Sequence, residues 1–386
     1  MKIKMKRGLV LTILLAVIVI ISLIIINNSL YRGNLEPTFD SAPVAGRVIS
    51  IDHVSSTYWG LIYHKNCNRN RYNSKSKVVV FLPGTNTRPN EYKIFVRDVG
   101  DKTGFCVLGI PYYSQGWIYN CCGIKNLRPE VTDKKCIEDL IGAKSQSNPS
   151  SYTCINGGEE VKIPYEQSIE GLIKRAFVEL NLKNYLEDDG VTPIWSNIFL
   201  VGHSQGAQLA GYFGIALHEL AGLGHISGGT NLVLLENGSF GYPDYWTGPS
   251  LTDLNNQLAL HHIKDSFGKQ QQFAARGISP QNIIVTNHVT RSFGIFNGCR
   301  QLLFLPDPKV VWHSCVVHDF WVPFDDIKRS FFLPEWLQLI QYCQILSDEQ
   351  CDYENPCPKG YYCSLYAGPH NRCIPNGCPK LCPDCQ

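Results

Sequence analysis

An apolar run, Ile198-Phe199-Leu200-Val201, passes directly into Gly202-His203-Ser204-Gln205-Gly206. The pattern constrains the fold more than any other, because a strand must turn sharply into a helix with a serine at the bend. A serine hydroxyl is a weak nucleophile at neutral pH and becomes useful only when held exposed within reach of a base. Glycine at both ends of the turn answers the steric demand, since it lets neighbouring backbone approach a strained residue closely. The helix expected next begins Gly206-Ala207-Gln208-Leu209-Ala210-Gly211, a small-residue face suited to lying tight on a sheet. An isolated Gly-x-Ser-x-Gly is a weak signal; strand before and helix after make it a specific one.

The N-terminus carries Lys2, Lys4, Lys6 and Arg7, then runs uncharged and almost wholly apolar from Gly8 to Ile26. Such a stretch approaches the roughly 20 residues a membrane-spanning helix needs and exceeds the apolar core of most cleaved signals. With only Arg32 soon after the span, the basic residues put the N-terminus in the cytoplasm. Residues 1–27 are therefore expected to be a type II signal anchor, a cleaved signal peptide being the alternative. Either way the rest of the chain enters the secretory pathway, as a single-pass membrane protein or a secreted one. Sixteen cysteines agree with that compartment, where an even count reads as a disulfide framework whose pairing the sequence leaves open. Asn237-Gly238-Ser239 is a glycan acceptor pattern. A net charge of +2 with scattered basic residues excludes a nucleic-acid partner.

Along the chain, a linker over 28–45 precedes two leading strands, Gly46–Ile51 and Thr57–Tyr63, expected to be antiparallel. Lys77–Leu82 is continuously apolar, as in a parallel strand covered on both faces, and stops at Pro83-Gly84-Thr85. A helix is expected near Asn90–Asp98, a strand at Phe105–Ile110 and one amphipathic helix over Tyr165–Leu186. Asn231–Leu235, Leu258–His262 and Lys309–Trp312 read as further sheet strands, with Ile283–Thr286 a weaker one. A last helix is expected over Asp325–Ile345, kinked or split by Pro334. Alternating strands and helices give a mostly parallel, doubly wound sheet. Residues 113–163 interrupt the rhythm as a structureless insertion, either a cover for the site mouth or a stapled surface decoration.

Gly202–Gly206 after a buried strand, with Phe81-Leu82-Pro83-Gly84-Thr85 closing an earlier one, resembles the α/β-hydrolase superfamily of lipases and serine esterases, over residues 46–345. The resemblance implies an α/β-hydrolase fold and the chain order serine, acid, histidine. Ser204 is then the nucleophile. Asp265, just past Leu258–His262, is the first choice of acid, and Asp244 the second. His313, after Val310-Val311-Trp312, is the first choice of base, and His318 the second. The oxyanion donors implied are the backbone N–H groups of Gln205 and Thr85, with Asn86 as alternative to Thr85. Here the chain departs from the His-Gly-Gly-Gly loop of some lipases. No cofactor and no metal are implied.

Residues 346–386 form a cysteine-rich tail with spacings such as Cys357-x5-Cys363 and Cys382-x2-Cys385. An oxidising lumen favours disulfides over zinc there, and the tail's tyrosines offer a face for an extracellular partner. The whole reads as a secretory-pathway enzyme that cleaves a carboxylic ester of a small molecule, lipid or glycan through an acyl-enzyme. The alternatives are a peptidase or thioesterase on the same fold, or a hydrolase-like binding protein without activity.

Overall fold

A computed structural model describes residues 47–50, 61–67, 77–114, 118–124, 131–158, 160–265, 270–286, 312–319, 330, 332–340, 361–364 and 372–375. The expected signal anchor and linker lie outside these residues, as does most of the tail. Among the described residues no helix is long and apolar enough to cross a membrane.

The strands, in chain order, are β1 (Arg47–Ser50), β2 (Leu61–Lys65), β3 (Val78–Leu82), β4 (Cys106–Gly109), β5 (Val131–Thr132), β6 (Ser151–Thr153), β7 (Glu160–Lys162), β8 (Ile198–His203), β9 (Gly222–Ile226), β10 (Leu232–Leu234), β11 (Phe240–Gly241), β12 (Gln257–His262), β13 (Ile283–Thr286), β14 (Tyr361–Ser364) and β15 (Arg372–Pro375). The α-helices are α1 (Lys93–Thr103), α2 (Ile118–Cys122), α3 (Lys134–Gln146), α4 (Ile169–Glu179), α5 (Gln205–Tyr212), α6 (Asp244–Thr247), α7 (Gln270–Arg276) and α8 (Leu333–Leu339). Eight strands form the central sheet in the order β1-β2-β4-β3-β8-β9-β12-β13. From β4 to β13 every pairing is parallel, so the fold is mixed α/β with a mostly parallel sheet. The two leading strands pair with each other in parallel, contrary to expectation; it is β2 against β4 that is antiparallel.

Period-two alternation divides the apolar run of β3 between two cores. Val78, Val80 and Leu82 join the side chains of α3, α4 and α5, including Leu140, Phe177 and Leu209. Val79 and Phe81 join the opposite cluster, with Phe95 of α1 and Trp336 of α8. Helices on both faces explain why β3 and β8 are apolar at nearly every position rather than alternating.

Several elements depart from the sequence expectation. The sequence carries no signal for β9, because Gly-Leu-Gly-His-Ile has neither alternation nor an apolar run. Close packing demands those glycines: a Cβ on Gly222 would sit 2.3 Å from the Phe199 ring. The strand expected at Asn231–Leu235 does not join the central sheet; β10 pairs instead with β5 and β11 in a separate three-stranded sheet. The single helix expected over Tyr165–Leu186 is three pieces, since the buried Ser168 caps α4 by accepting from the Gly171 N–H at 3.2 Å. Pro334 lies in the first turn of α8, where a missing N–H costs nothing, and so starts that helix rather than kinking it. Residues 309–311 lie outside the described residues, and Trp312 is in a helical turn.

The insertion is not structureless. It holds α2, α3, β5 and the β6–β7 hairpin, stapled by Cys121–Cys154 and Cys122–Cys136. A third disulfide, Cys67–Cys106, ties the end of β2 to β4, and Cys315 is disulfide-bonded as well. The three sulfurs of Cys121, Cys122 and Cys136 cluster because they are in bridges, so their proximity is no metal site.

Candidate active site

Ser204 stands between β8 and α5 with φ 54° and ψ −117°, a conformation that L-residues adopt only under constraint. Three glycines supply that constraint by letting backbone close around it. A Cβ on Gly202 would lie 2.1 Å from the Gly206 carbonyl oxygen, and one on Gly206 would lie 2.3 Å from that of Leu82. One on Gly228, in the loop after β9, would meet the Ser204 carbonyl oxygen at 2.5 Å. The Ser204 N–H donates to the Ile226 carbonyl at 2.9 Å, so β9 holds the turn as well as the sheet.

Ser204 lines a cavity of about 250 Å³ together with His313, His318, Thr85 and Gln205. Asp265 lies just past β12, its side chain wholly buried, and both of its oxygens are 3.1 Å from Nδ1 of His313. A carboxylate only accepts, so Nδ1 carries the proton and Nε2 is the basic nitrogen of this tautomer. The other candidates are placed differently. Asp244 is exposed and paired with Lys134 at 2.7 Å. His318 faces the cavity, 4.0 Å from Glu91, and burial pulls its pKa down to about 4.

The segment carrying His313 is pinned at several points. The Trp312 ring stacks on His262 at the end of β12, and the Lys264 ammonium lies 4.5 Å from the same ring. Asp319 accepts from the N–H groups of Lys93 and Ile94 at 2.9 and 3.0 Å, at the start of α1. The indole N–H of Trp336 donates to the Val316 carbonyl at 2.8 Å.

His203, a residue the sequence singles out only as a neighbour of the serine, makes one of these ties. Its Nε2 lies 3.0 Å from the His313 carbonyl, which can only accept, so Nε2 is protonated and Nδ1 accepts from the Tyr92 hydroxyl at 2.9 Å. Burial, then the proximity of His313, holds the His203 pKa well below its usual value, so the imidazole stays neutral. The Tyr92 hydroxyl in turn accepts from the Gly84 N–H at 3.0 Å, which fixes the loop after β3. In that loop the Asn86 N–H is spent on the Ser114 carbonyl. The N–H groups of Thr85 and Gln205 make no hydrogen bond among the described residues, and both residues border the cavity.

Behind Gln205 lies another group that no motif announces. Lys144 of α3 is buried, and its ammonium lies 3.4 Å from Oε1 of Gln205; burial lowers its pKa to about 7. The insertion also sends Ile118 and Tyr119 to the cavity wall.

No protein-family model matches the chain, and no curated protein matches it. Among solved structures it is similar to esterase PE8, at 15% identity over 55% of this chain and 82% of that one, with a TM-score of 0.31. A phospholipase/carboxylesterase from Dyadobacter fermentans matches at 13% identity over 58% and 84%, with a TM-score of 0.28. An acetyl xylan esterase from Aspergillus awamori matches at 13% identity over 56% and 71%, with a TM-score of 0.30.

Proposed function

We propose that this protein is a serine hydrolase of the α/β-hydrolase type that cleaves a carboxylic ester through an acyl-enzyme. The observation that carries the reading is the shared cavity of Ser204, on its strained strand-to-helix turn, and His313, oriented at Nδ1 by the buried Asp265. His313 Nε2 takes the Ser204 proton as Oγ bonds to the acyl carbon, and Asp265 stabilises the imidazolium that forms. Negative charge on the former carbonyl oxygen is met by the N–H groups of Gln205 and Thr85, each worth about 10²–10³ in rate by analogy with other oxyanion donors. The carbon–oxygen bond to the alcohol breaks as the imidazolium returns its proton to the leaving oxygen. Water, deprotonated by the same imidazole, then releases the acid and regenerates Ser204.

The disulfides of the body support passage through an oxidising compartment, and the apolar segment 8–26 supports membrane anchoring at the N-terminus. The experiment that tests the reading is labelling with a fluorophosphonate. The natural protein should label on Ser204 and hydrolyse 4-nitrophenyl acetate; Ser204→Ala should fold, fail to label and lose turnover. A natural protein that folds but neither labels nor turns over would leave the binding-protein alternative standing.

A further inference from the structure

The two oxyanion donors stand on different segments, the Gln205 N–H at the start of α5 and the Thr85 N–H in the loop after β3. Both must reach one oxygen, so the register between the segments decides how much charge they stabilise. The backbone entering Gln205 is strained, with φ 54° at Ser204, and such a turn persists only where its surroundings over-determine it. Close backbone packing supplies part of that constraint: a Cβ on Gly206 would lie 2.3 Å from the Leu82 carbonyl oxygen and 2.4 Å from that of Pro83. Buried side chains supply more.

Gln205 is buried, and its Oε1 has two polar neighbours, the Tyr112 hydroxyl and Nζ of Lys144, each at 3.4 Å. A phenol carries one proton, and that of Tyr112 goes to the Pro83 carbonyl at the shorter distance of 2.8 Å. Lys144 is therefore the donor left for Oε1. It serves in either charge state, since ammonium and neutral amine both carry N–H. The three groups meet where the donor segments adjoin, because Pro83 precedes Gly84 and Thr85. A lysine is a costly choice at this point. It is 1% exposed, with the rings of Tyr113 and Tyr152 centred 5.4 and 5.9 Å from its Nζ, and burial lowers its pKa to about 7. A methionine would fill comparable space without desolvating a charge. What a methionine lacks is the N–H that Oε1 accepts.

Resting on the hydrolase reading above, we propose that Lys144 is a positioning residue of the oxyanion hole: its N–H to Oε1 of Gln205 fixes that side chain, and with it the strained backbone whose N–H meets the acyl oxygen. Lys144 does not line the cavity, so it touches no reacting atom and exchanges no proton with the substrate. Its loss loosens the grip on the transition state, where charge has developed on oxygen, more than the grip on the bound ester.

The test measures phenyl acetate hydrolysis by the full-length natural protein, Lys144→Met, Gln205→Met and the double variant, with active sites counted from the end point of fluorophosphonate labelling. Methionine in place of Gln205 keeps the backbone N–H and removes Oε1. Per labelled site, each single variant should lose about tenfold in kcat with KM within about twofold, and the double variant should be no slower than the slower single, because both changes break one link. A trifluoromethyl ketone, whose adduct with Ser204 places a negative oxygen between the same donors, should lose affinity by the factor lost in kcat/KM. A role in stability alone would lower the labelled fraction and leave kcat per site and ketone inhibition unchanged, and that result overturns the assignment. So does a double variant whose loss is the product of the two single losses. Where Lys144→Met fails to fold, Gln205→Met decides: an unchanged kcat per site overturns the proposal, and a fall of about tenfold with a matching loss of ketone affinity upholds it. Absence of labelling and of turnover in the folded natural protein overturns the hydrolase reading instead.

Discussion

His313 and His318 lie five residues apart on one segment and both face the cavity, yet their surroundings assign them different work. Asp265 holds His313 in the tautomer a general base requires, whereas His318 packs against the Tyr92 ring and has its carboxylate neighbour at 4.0 Å. His313→Ala should lower kcat by about 10³-fold or more, and adding Asp265→Ala should cost little further, because triad members act as a unit. The same assay on His318→Ala should show a much smaller loss. The opposite ranking would move the base to His318. Lys144 sets a second residue-scale expectation. No carboxylate pairs with it among the described residues; its neighbours are Gln205 and the rings of Tyr113 and Tyr152. Burial depresses its pKa from 10.5 to about 7, so folding favours the neutral amine. The corresponding stability is present above pH 10.5 and lost as pH falls toward 7, on the order of 5 kcal/mol between the limits. Urea unfolding of Lys144→Met, disulfides intact, should therefore lack the rise in stability with pH that the natural protein shows between about 7 and 10. Parallel slopes in the two proteins would mean that Lys144 is charged where it sits.

Elements were legible where a single physical demand shaped the residues. Val78–Leu82 and Ile198–Val201 are apolar throughout because helices cover both faces, and the turn at Ser204 shows in Gly202 and Gly206 because nothing larger fits. β9 and the loop Ser227–Asn231 were not legible. Their residues are small or polar for tertiary reasons: Gly222 makes room for Phe199, Gly228 for Ser204, and Thr230 and Asn231 border a cavity no local pattern announces. Asp265 and His313 were reachable only through the resemblance, since 48 residues separate two groups that meet at 3.1 Å. The apolar period over Tyr165–Leu186 marks a buried face only from Ile169 to Phe177; Tyr165 is exposed, and the period runs past the local signals. Ser168, fully buried, bonds both the Gly171 N–H and the Tyr165 carbonyl, so a helix starts where the period alone shows no break. Ser168→Ala should cost about 1–2 kcal/mol in chemical denaturation, the usual worth of a lost cap, with labelling of Ser204 retained. A change below a few tenths of a kcal/mol would show that the neighbouring turns hold α4 without it.

At the scale of the whole molecule, the central sheet and its helices already bring together every group the proposed chemistry uses, and what is added to them does separate work. The insertion is bound to the body by its share of the core and stapled within itself, the Cys122–Cys136 loop being the shortest of the three described. The chain-entropy model gives about 3 kcal/mol for a bridge of that separation. Cys122→Ala with Cys136→Ala should therefore lower stability by roughly that amount and, through Ile118 and Tyr119, raise KM more than it lowers kcat. The tail stands in a different relation to the fold. Its described strands, β14 and β15, form an antiparallel pair of their own, with Cys363 opposite Cys373, and supply no strand to the central sheet. So small a unit has little core, and we propose that disulfides hold it. Stopping the chain near Asp348 should leave phenyl-acetate hydrolysis close to that of the full-length protein, while binding to a large substrate or partner weakens. A shortened protein that folds and labels on Ser204 but turns over phenyl acetate tenfold more slowly would show that the tail reaches the cavity. Free thiols in the tail of protein recovered from the secretory pathway would overturn the disulfide proposal, and unfolding of the tail alone on chelation would show a metal in place of bridges.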